Sequence, residues 1–585
     1  MLPNVGRPGP GPGPGPEVET DAASRIRKVP TGGSRQRWLV LGFLRTAAFM
    51  QLVDVSIVTV AVTSIQDGLD AGYAQVQWVL AGYTLAFAVL LVTGSELGDR
   101  FGRKRVFILG TAAFTLASLQ CGAAGNAETL IAARLLQGLA AALMYPQVYA
   151  VIQVTFPPRR RGTAFGILGG VIGLAAITGP LVGGLLIQAD LFGWTWRPVF
   201  LVNIPVGLLA VVLAARFIPE SRATDAGGQD LTGVLLVTAG LALLVYPLVQ
   251  GRELGWPAHL FVMAGAGVAV LALFGLYERR REGRGRTPLV RTGLFRNRGF
   301  TSGLLLILVF YGAFLPFFLV FSVYLQSGLG YSALRTGVAV LPYALGSGIG
   351  SGVSVALAPR LGRAALQIGL TVLIAGTLGV AWAVHVWGTG LETRHVFLPL
   401  LVAGLGFGFT VTPLVTLILA RIPLADAGSA SGTLTTAQQI GSSIGIAVLG
   451  AFFFGLLGSQ ADAATADEVP GLRAELAALH LTGDAAQDVI DEFRSCFHDR
   501  AAATDPTAVP ASCRPAPADA PVRQVVAAAT TRALHTDFAE SVQRTLLLQA
   551  VLFAGCLVLV FALPKVRGRE LSEFEEKSQD ATIIG

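Results

Sequence analysis

Long apolar runs separated by short polar or charged breaks repeat along almost the whole 585-residue chain. Each run is close to the roughly 20 residues that a helix needs to cross a bilayer core. The pattern predicts spans 1 to 8 at approximately 38–64, 76–95, 105–124, 128–154, 163–188, 199–218, 232–250 and 259–277. Spans 9 to 14 follow at approximately 300–325, 335–357, 365–385, 396–420, 430–457 and 546–563. Spans 4 and 5 are parted by Pro157, Pro158, Arg159, Arg160 and Arg161, whereas the break between spans 3 and 4 rests on Gly125, Asn126 and Glu128. The predicted fold class is all-α and membrane-integral.

Composition agrees: 53% hydrophobic against 14% charged residues excludes a soluble globular chain of this length. The net charge of +7 does not imply a nucleic-acid partner, because the basic residues fall in alternate loops. Arg100 to Arg105, Arg159 to Arg161, the cluster from Arg279 to Arg298, and Arg360, Arg363 and Arg421 share one side. By the positive-inside rule that side is cytoplasmic, which places both termini there in a multi-pass protein of the cell membrane. The first apolar run is too long for a signal-peptide core and is read as a retained helix.

Two segments stand outside the spans. Residues 1–36, with alternating Gly and Pro from Gly11, are expected to form a disordered cytoplasmic tail, and a second tail covers 565–585. The polar stretch 458–545 is expected on the outer face, where Leu472, Leu476, Leu479, Val489, Ile490 and Phe493 suggest one or two amphipathic helices, either a cover or an incidental hairpin. Cys496 and Cys513 lie in it and are a disulfide candidate or two independent thiols, while Cys121 and Cys556 fall inside spans.

Charged residues within the runs carry the candidate chemistry. Asp54 in span 1 is a carboxylate in an apolar environment, functional by default or else satisfied by a hydroxyl such as Ser56. Arg134 in span 4 is the matching cation. At 1.5 Å per residue Asp54 lies about 15 Å and Arg134 about 9 Å below the outer surface, an offset that an arginine can bridge directly or through Gln137. Span 5 carries Gly179, Pro180, Gly183 and Gly184, which permit close helix packing and a bend. The segment Gly94 to Gly110 is a turn in which Gly98, Asp99, Arg100, Gly102, Arg103, Lys104 and Arg105 must sit at the membrane surface, since each charge costs about 2.5–3.5 kcal/mol at the bilayer centre. Ala358 to Arg363 echoes it after span 10, with Pro359 replacing the aspartate.

These motifs occur in the order found in a known family. Asp54 on helix 1, the Gly98-Asp99-Arg100-Phe101-Gly102-Arg103 loop, Arg134, Gly179-Pro180 on helix 5, Trp196-Arg197 with Asn203 and Pro205, and the Ser429 to Gly441 stretch together resemble the fourteen-helix drug:proton antiporter branch of the major facilitator superfamily. The resemblance implies two six-helix bundles, at 37–220 and 300–564, with two inserted helices and a linker at 221–299. It implies proton coupling at Asp54 and Arg134, and gating by Gly98, Asp99, Arg100, Gly102, Arg103, Gly179, Pro180, Gly183 and Gly184, with Asp99 latching one bundle against the other. The chain departs from the family pattern at Thr59, Thr63 and Gln438.

The expected activity is exchange of protons for an amphiphilic small molecule such as a drug or antibiotic, with lipid-linked export as the alternative. Substrate contacts are expected from Gln137, Tyr83, Tyr145, Phe310, Tyr311 and Phe314. The chain has no phosphate-cradling G-x-x-x-x-G-K-[ST] loop, no metal-ligand spacing and no nucleophile elbow, so neither an enzyme nor a cofactor or metal site is expected. The expected partners are the lipid bilayer, a small-molecule substrate and protons, for a monomer.

Overall fold

The computed structural model describes residues 34–155, 175, 178–222, 230–251, 254–286, 288–290, 292–419, 427–502, 510–513 and 519–563. All regular structure among them is helical, and 13 helices are long and apolar enough to cross a membrane. Thr178–Ala189 is the described part of span 5; Arg159 to Arg161 and the first half of that span lie outside the described residues, as do both expected tails apart from residues 34–36.

In the N-terminal half, span 1 is Ser34–Leu69, span 2 Tyr73–Phe101, span 3 Arg103–Gly122 and span 4 Ala127–Thr155. Span 6 is split into Pro198–Leu201 and Asn203–Phe217. Pro205 has no N–H to offer the carbonyl four residues back, which loosens the helix there. Spans 7 and 8 are Leu231–Gln250 and Ala258–Gly283. Their hairpin packs on the outside of spans 2 and 13, and span 8 leaves most of its surface exposed. In the C-terminal half, span 9 is Arg298–Val323, extended by a π-turn at Tyr324–Gly328. Span 10 is Ala333–Leu361, span 11 Arg363–Trp387, span 12 Thr393–Leu419, span 13 Ala427–Ser459 and span 14 the long helix Ala520–Val560.

The halves repeat one design down to their loops. Spans 2 and 3 are joined by the single residue Gly102 (φ +108), and spans 10 and 11 by Gly362 (φ +55), both in backbone conformations that favour glycine. Lys104 Nζ donates to the Ala215 carbonyl at 2.7 Å and the Arg103 amide to that of Ser221 at 3.0 Å, at the end of span 6. In the second half Arg363 Nη1 donates to the Phe561 and Leu563 carbonyls at 3.1 and 3.3 Å, at the end of span 14. The sequence echo is thus a repeated way of tying a two-helix turn to the last helix of its own bundle.

The two halves touch at the end opposite these basic loops. Span 5 lies between spans 1 and 10: a Cβ on Gly183 would come within 2.7 Å of Ile57 Cγ1, and one on Gly184 within 2.6 Å of Leu334 Cα. Gln326, on the π-turn, accepts from Thr63 Oγ1 at 2.5 Å and donates to the Val60 carbonyl at 3.1 Å. Span 2 runs along span 13, where Ser443 Oγ donates to the Ala81 carbonyl at 3.1 Å.

The 458–545 stretch departs from the expected hairpin. It forms a small three-helix cap from Ala461–Ala478, Asp484–Ala502 and the first part of Ala520–Val560, with its own core of Leu472, Leu476, Ile490, Phe493, Val522 and Ala529. Arg532 ties the cap together through Glu468 and Glu475 at 2.8 and 3.1 Å. Cys496 and Cys513 are disulfide-bonded, with Cα atoms 4.6 Å apart.

Candidate functional site

Asp54 is fully buried, and its carboxylate is held by donors from two other spans. Arg134 Nη1 lies 2.6 Å from Oδ2, while Gln137 Nε2 and Asn203 Nδ2 each donate to Oδ1 at 2.8 Å. A buried charge is tolerated only when paired and hydrogen-bonded, and three directed donors meet that demand. The expected Asp54–Arg134 pair is direct, and Gln137 also bridges it by accepting from Arg134 Nη1 at 2.6 Å.

The neighbours fix the geometry. Span 4 presents Arg134 and Gln137 one turn apart, so both reach the same carboxylate. Arg134 Nε donates to the Val79 carbonyl at 3.1 Å, and its guanidinium lies 4.2 Å from the Tyr83 ring centroid and 5.8 Å from that of Phe200. Ser118 Oγ accepts from Gln137 at 2.7 Å and from Asn203 at 3.3 Å. Ser56, the alternative partner for Asp54, instead donates to the Leu52 and Val53 carbonyls of its own helix at 3.1 Å. A small cleft between the two halves, lined by Val55, Thr59, Tyr83, Arg134, Leu315 and Ile446, borders the cluster on the Arg134 side.

The expected substrate residues divide. Gln137 belongs to the Asp54 cluster, and Tyr83 and Phe310 are fully buried, Tyr83 accepting from Gln51 Nε2 at 3.2 Å and Phe310 packing on Phe407 and Phe553. Gln137 and Phe310 offer no surface to a ligand, and Tyr83 only borders the small cleft beside Arg134. Tyr145, Tyr311 and Phe314 are partly exposed. Tyr145 and Tyr149 share a hydrogen bond at 3.1 Å in the N-terminal half, and Phe314 stacks on Phe407 at 3.9 Å in the C-terminal half. Ser118, Tyr149, Phe407 and Gln326 were not singled out from the sequence.

The gating motif is seen in part. Gly94 and Gly98 are where span 4 crosses span 2: Gln147 Nε2 donates to the Gly94 carbonyl at 2.7 Å and fills the space beside Gly98. The Lys104 amide and Arg105 Nε meet Glu220 at 3.2 and 3.5 Å, which belongs to the same half. These loop contacts are therefore internal to the N-terminal half; the Asp99 side chain lies outside the described residues. Arg100 lies over the neighbouring Phe101 ring at 5.4 Å.

Two repeated helix bundles, the N-terminal one enclosing a buried ionic site, define a multi-pass membrane transporter. The Major Facilitator Superfamily model matches residues 46–446, and the chain belongs to that family. It is 41% identical over 531 residues to the probable actinorhodin transporter of Streptomyces coelicolor, covering 90% of this chain and 92% of that one. It is 34% identical to the tetracenomycin C resistance and export protein of Streptomyces glaucescens, over 74% of this chain and 78% of that one. The puromycin resistance protein pur8 of Streptomyces alboniger is 36% identical, over 72% and 82%. Among solved structures, a bacterial homologue of the human lysosomal transporter Spinster in an inward-facing form shares the fold at TM-score 0.57 and 14% identity, covering 91% of this chain and 97% of that one.

Proposed function

We propose that the protein exports amphiphilic small molecules of the antibiotic type in exchange for protons, with the basic loops and both termini on the cytoplasmic side. The observation that carries the reading is the Asp54 carboxylate, fully buried and paired with Arg134 at 2.6 Å, with Arg134 bordering a small cleft between the halves. Protonation would cancel the charge that holds Arg134, so the guanidinium would lose its partner and the packing around Tyr83 and Asn203 would change. An intramembrane carboxylate with a matched cation is a functional candidate by default. At 100 mV one elementary charge supplies about 2.3 kcal/mol, enough for roughly a fiftyfold gradient of a neutral solute. The relatives' names support export of antibiotics as the cargo class.

The contacts at the opposite end support a cytoplasm-facing state. Gly183, Gly184, Thr63 and Gln326 would form the outer gate, which must part to release cargo. The test is purified protein in liposomes under an imposed pH gradient, with a panel of dyes and antibiotics. Wild type should accumulate cargo against its gradient and Asp54→Asn should not; equal accumulation by both would overturn the coupling role of Asp54.

A further inference from the structure

The inserted hairpin of spans 7 and 8 carries a pair of acids that the Asp54 site does not use. Asp230 caps the start of span 7 and Glu278 lies near the end of the span 8 helix, and they are 2% and 1% exposed. Asp230 Oδ1 accepts from the Gly233 amide and from the Tyr277 hydroxyl, both at 2.9 Å. Glu278 Oε2 accepts from the Val290 amide at 3.0 Å. The other two oxygens, Asp230 Oδ2 and Glu278 Oε1, receive no hydrogen bond among the described residues. Both face one spot: a Cβ on Gly233 would lie 2.7 Å from the first and 2.6 Å from the second, so they border the space that a single methyl group would fill.

The local charges do not cancel if both acids are ionised. Arg281 Nε lies 3.2 Å from Asp230 Oδ2, and its Nη1 donates to the Tyr277 hydroxyl at 3.2 Å, so one guanidinium faces two carboxyl groups. Arg279, Arg280, Arg284 and Arg286 are exposed. Further charged groups on the elements packed here are Glu282 on the same helix, Arg296 on the following turn, and Glu96, Asp99 and Arg100 at the same end of span 2; span 13 carries none. Among the described residues none of these pairs with Asp230 or Glu278. Two ionised carboxylates would bring two undonated oxygens together out of solvent, a cost that one proton between them removes. The same oxygens then make an O–H···O⁻ hydrogen bond, and Arg281 balances the one remaining charge.

The pair also holds the linker from span 8 to span 9, through the Val290 amide. One turn further along the helix, Glu282 Oε2 accepts from the Thr292 amide at 3.0 Å, from the Thr292 hydroxyl, and from the Gly293 amide at 3.3 Å. Leu289 is buried in a cluster with Val89 of span 2, Val237 of span 7 and Ala447 of span 13, where the hairpin meets both halves.

We propose that Asp230 and Glu278 are a second proton-binding site, separate from Asp54, whose shared proton clamps the linker that enters span 9. Without the proton, Glu278 is repelled from Asp230 and the Val290 amide loses its acceptor. This site goes beyond the export reading and does not depend on it.

The test is amide exchange of peptides covering residues 286–297, in the full-length protein in lipid nanodiscs, at about pH 5 and about pH 8, both above the ordinary glutamate value of about 4.3. Each rate is divided by that of Glu278→Gln at the same pH, which removes the intrinsic pH dependence of exchange. The glutamine keeps an acceptor for Val290 and a donor for Asp230. A clamped state that holds one proton more than the released state loosens by up to about tenfold per pH unit, so the wild-type ratio should rise at least about tenfold between the two conditions. Asp230→Asn keeps the cap on Gly233 and leaves Glu278 alone with Arg281, so its ratio should stay flat. Asp54→Asn should respond as wild type does. A flat wild-type ratio, or a full response in Asp230→Asn, would overturn the shared proton. A response lost in Asp54→Asn would overturn its independence from Asp54. Unchanged exchange in the other spans shows that the variants are folded.

Discussion

Replacing Gln326 by leucine removes the polar link across the outer end of the molecule while keeping the side chain's bulk. Gln326 accepts from Thr63 at 2.5 Å and donates to the Val60 carbonyl at 3.1 Å, two hydrogen bonds between the halves. A net contribution of about 0.5–1.5 kcal/mol each gives about 1–3 kcal/mol favouring closure. At 1.4 kcal/mol per factor of ten, the closed-to-open ratio at that end should fall by roughly 5- to 150-fold. Spin labels at the exposed positions Gln188 and Arg335, which flank the contact of span 5 with span 10, report the separation by double electron–electron resonance. Gln326→Leu should move population to the longer distance. Gly184→Val serves as a positive control, because a Cβ there would sit 2.6 Å from Leu334 Cα and must prop the helices apart. If the control opens the gap and Gln326→Leu does not, the link makes no contribution to closure.

Three further outcomes follow from other contacts. Asn203→Leu leaves Asp54 Oδ1 with Gln137 alone, and at about 1–3 kcal/mol for a lost buried partner, gradient-driven efflux should drop by roughly tenfold; wild-type rates would show that Asn203 does not support the carboxylate. Cys496→Ser opens a link between residues 17 apart, worth about 3 kcal/mol by loop entropy, so amide exchange over Asp484–Ala502 should accelerate, and unchanged exchange would mean the cap core suffices without it. Gly94→Val places a methyl-bearing carbon within 2.9 Å of the Ala142 carbonyl carbon, a backbone atom that cannot swing away, so thermal stability should fall by about 1–3 kcal/mol; an unchanged melting temperature would contradict the close crossing of spans 2 and 4.

The parts of this molecule that were legible in the sequence are those where polarity contrasts with its surroundings. Asp54 and Arg134 stand out in apolar runs, and counting residues from the membrane surface was enough to bring them together. Gly102 and Gly362 punctuate charged turns, and the two loops do perform the same task. Asn203 was visible as part of the span 6 pattern, but Ser118 is a small hydroxyl in an apolar helix and carries no signal of its own. Gln326 became meaningful only with its partner Thr63, one of the positions where the chain departs from the family pattern.

The candidate substrate residues were hardest to read because lipid-facing and interior-facing sides of a span are equally apolar. Periodicity therefore could not separate Tyr311 and Phe314, which keep part of their surface accessible, from Phe310, which packs fully into the core. The cap shows a different limit. Apolar positions such as Leu472 and Phe493 were evident, but the polar composition of residues 520–545 hid the fact that span 14 continues through them as one helix.

The central claim is that Asp54 couples cargo movement to protons rather than holding the cargo or the fold. It is tested most directly by comparing two modes of transport in the same Asp54→Asn liposomes. Gradient-driven accumulation should fall to the level of protein-free vesicles, while cargo-for-cargo exchange without a pH gradient persists near the wild-type rate. Gradient-driven accumulation retained in Asp54→Asn would contradict the claim.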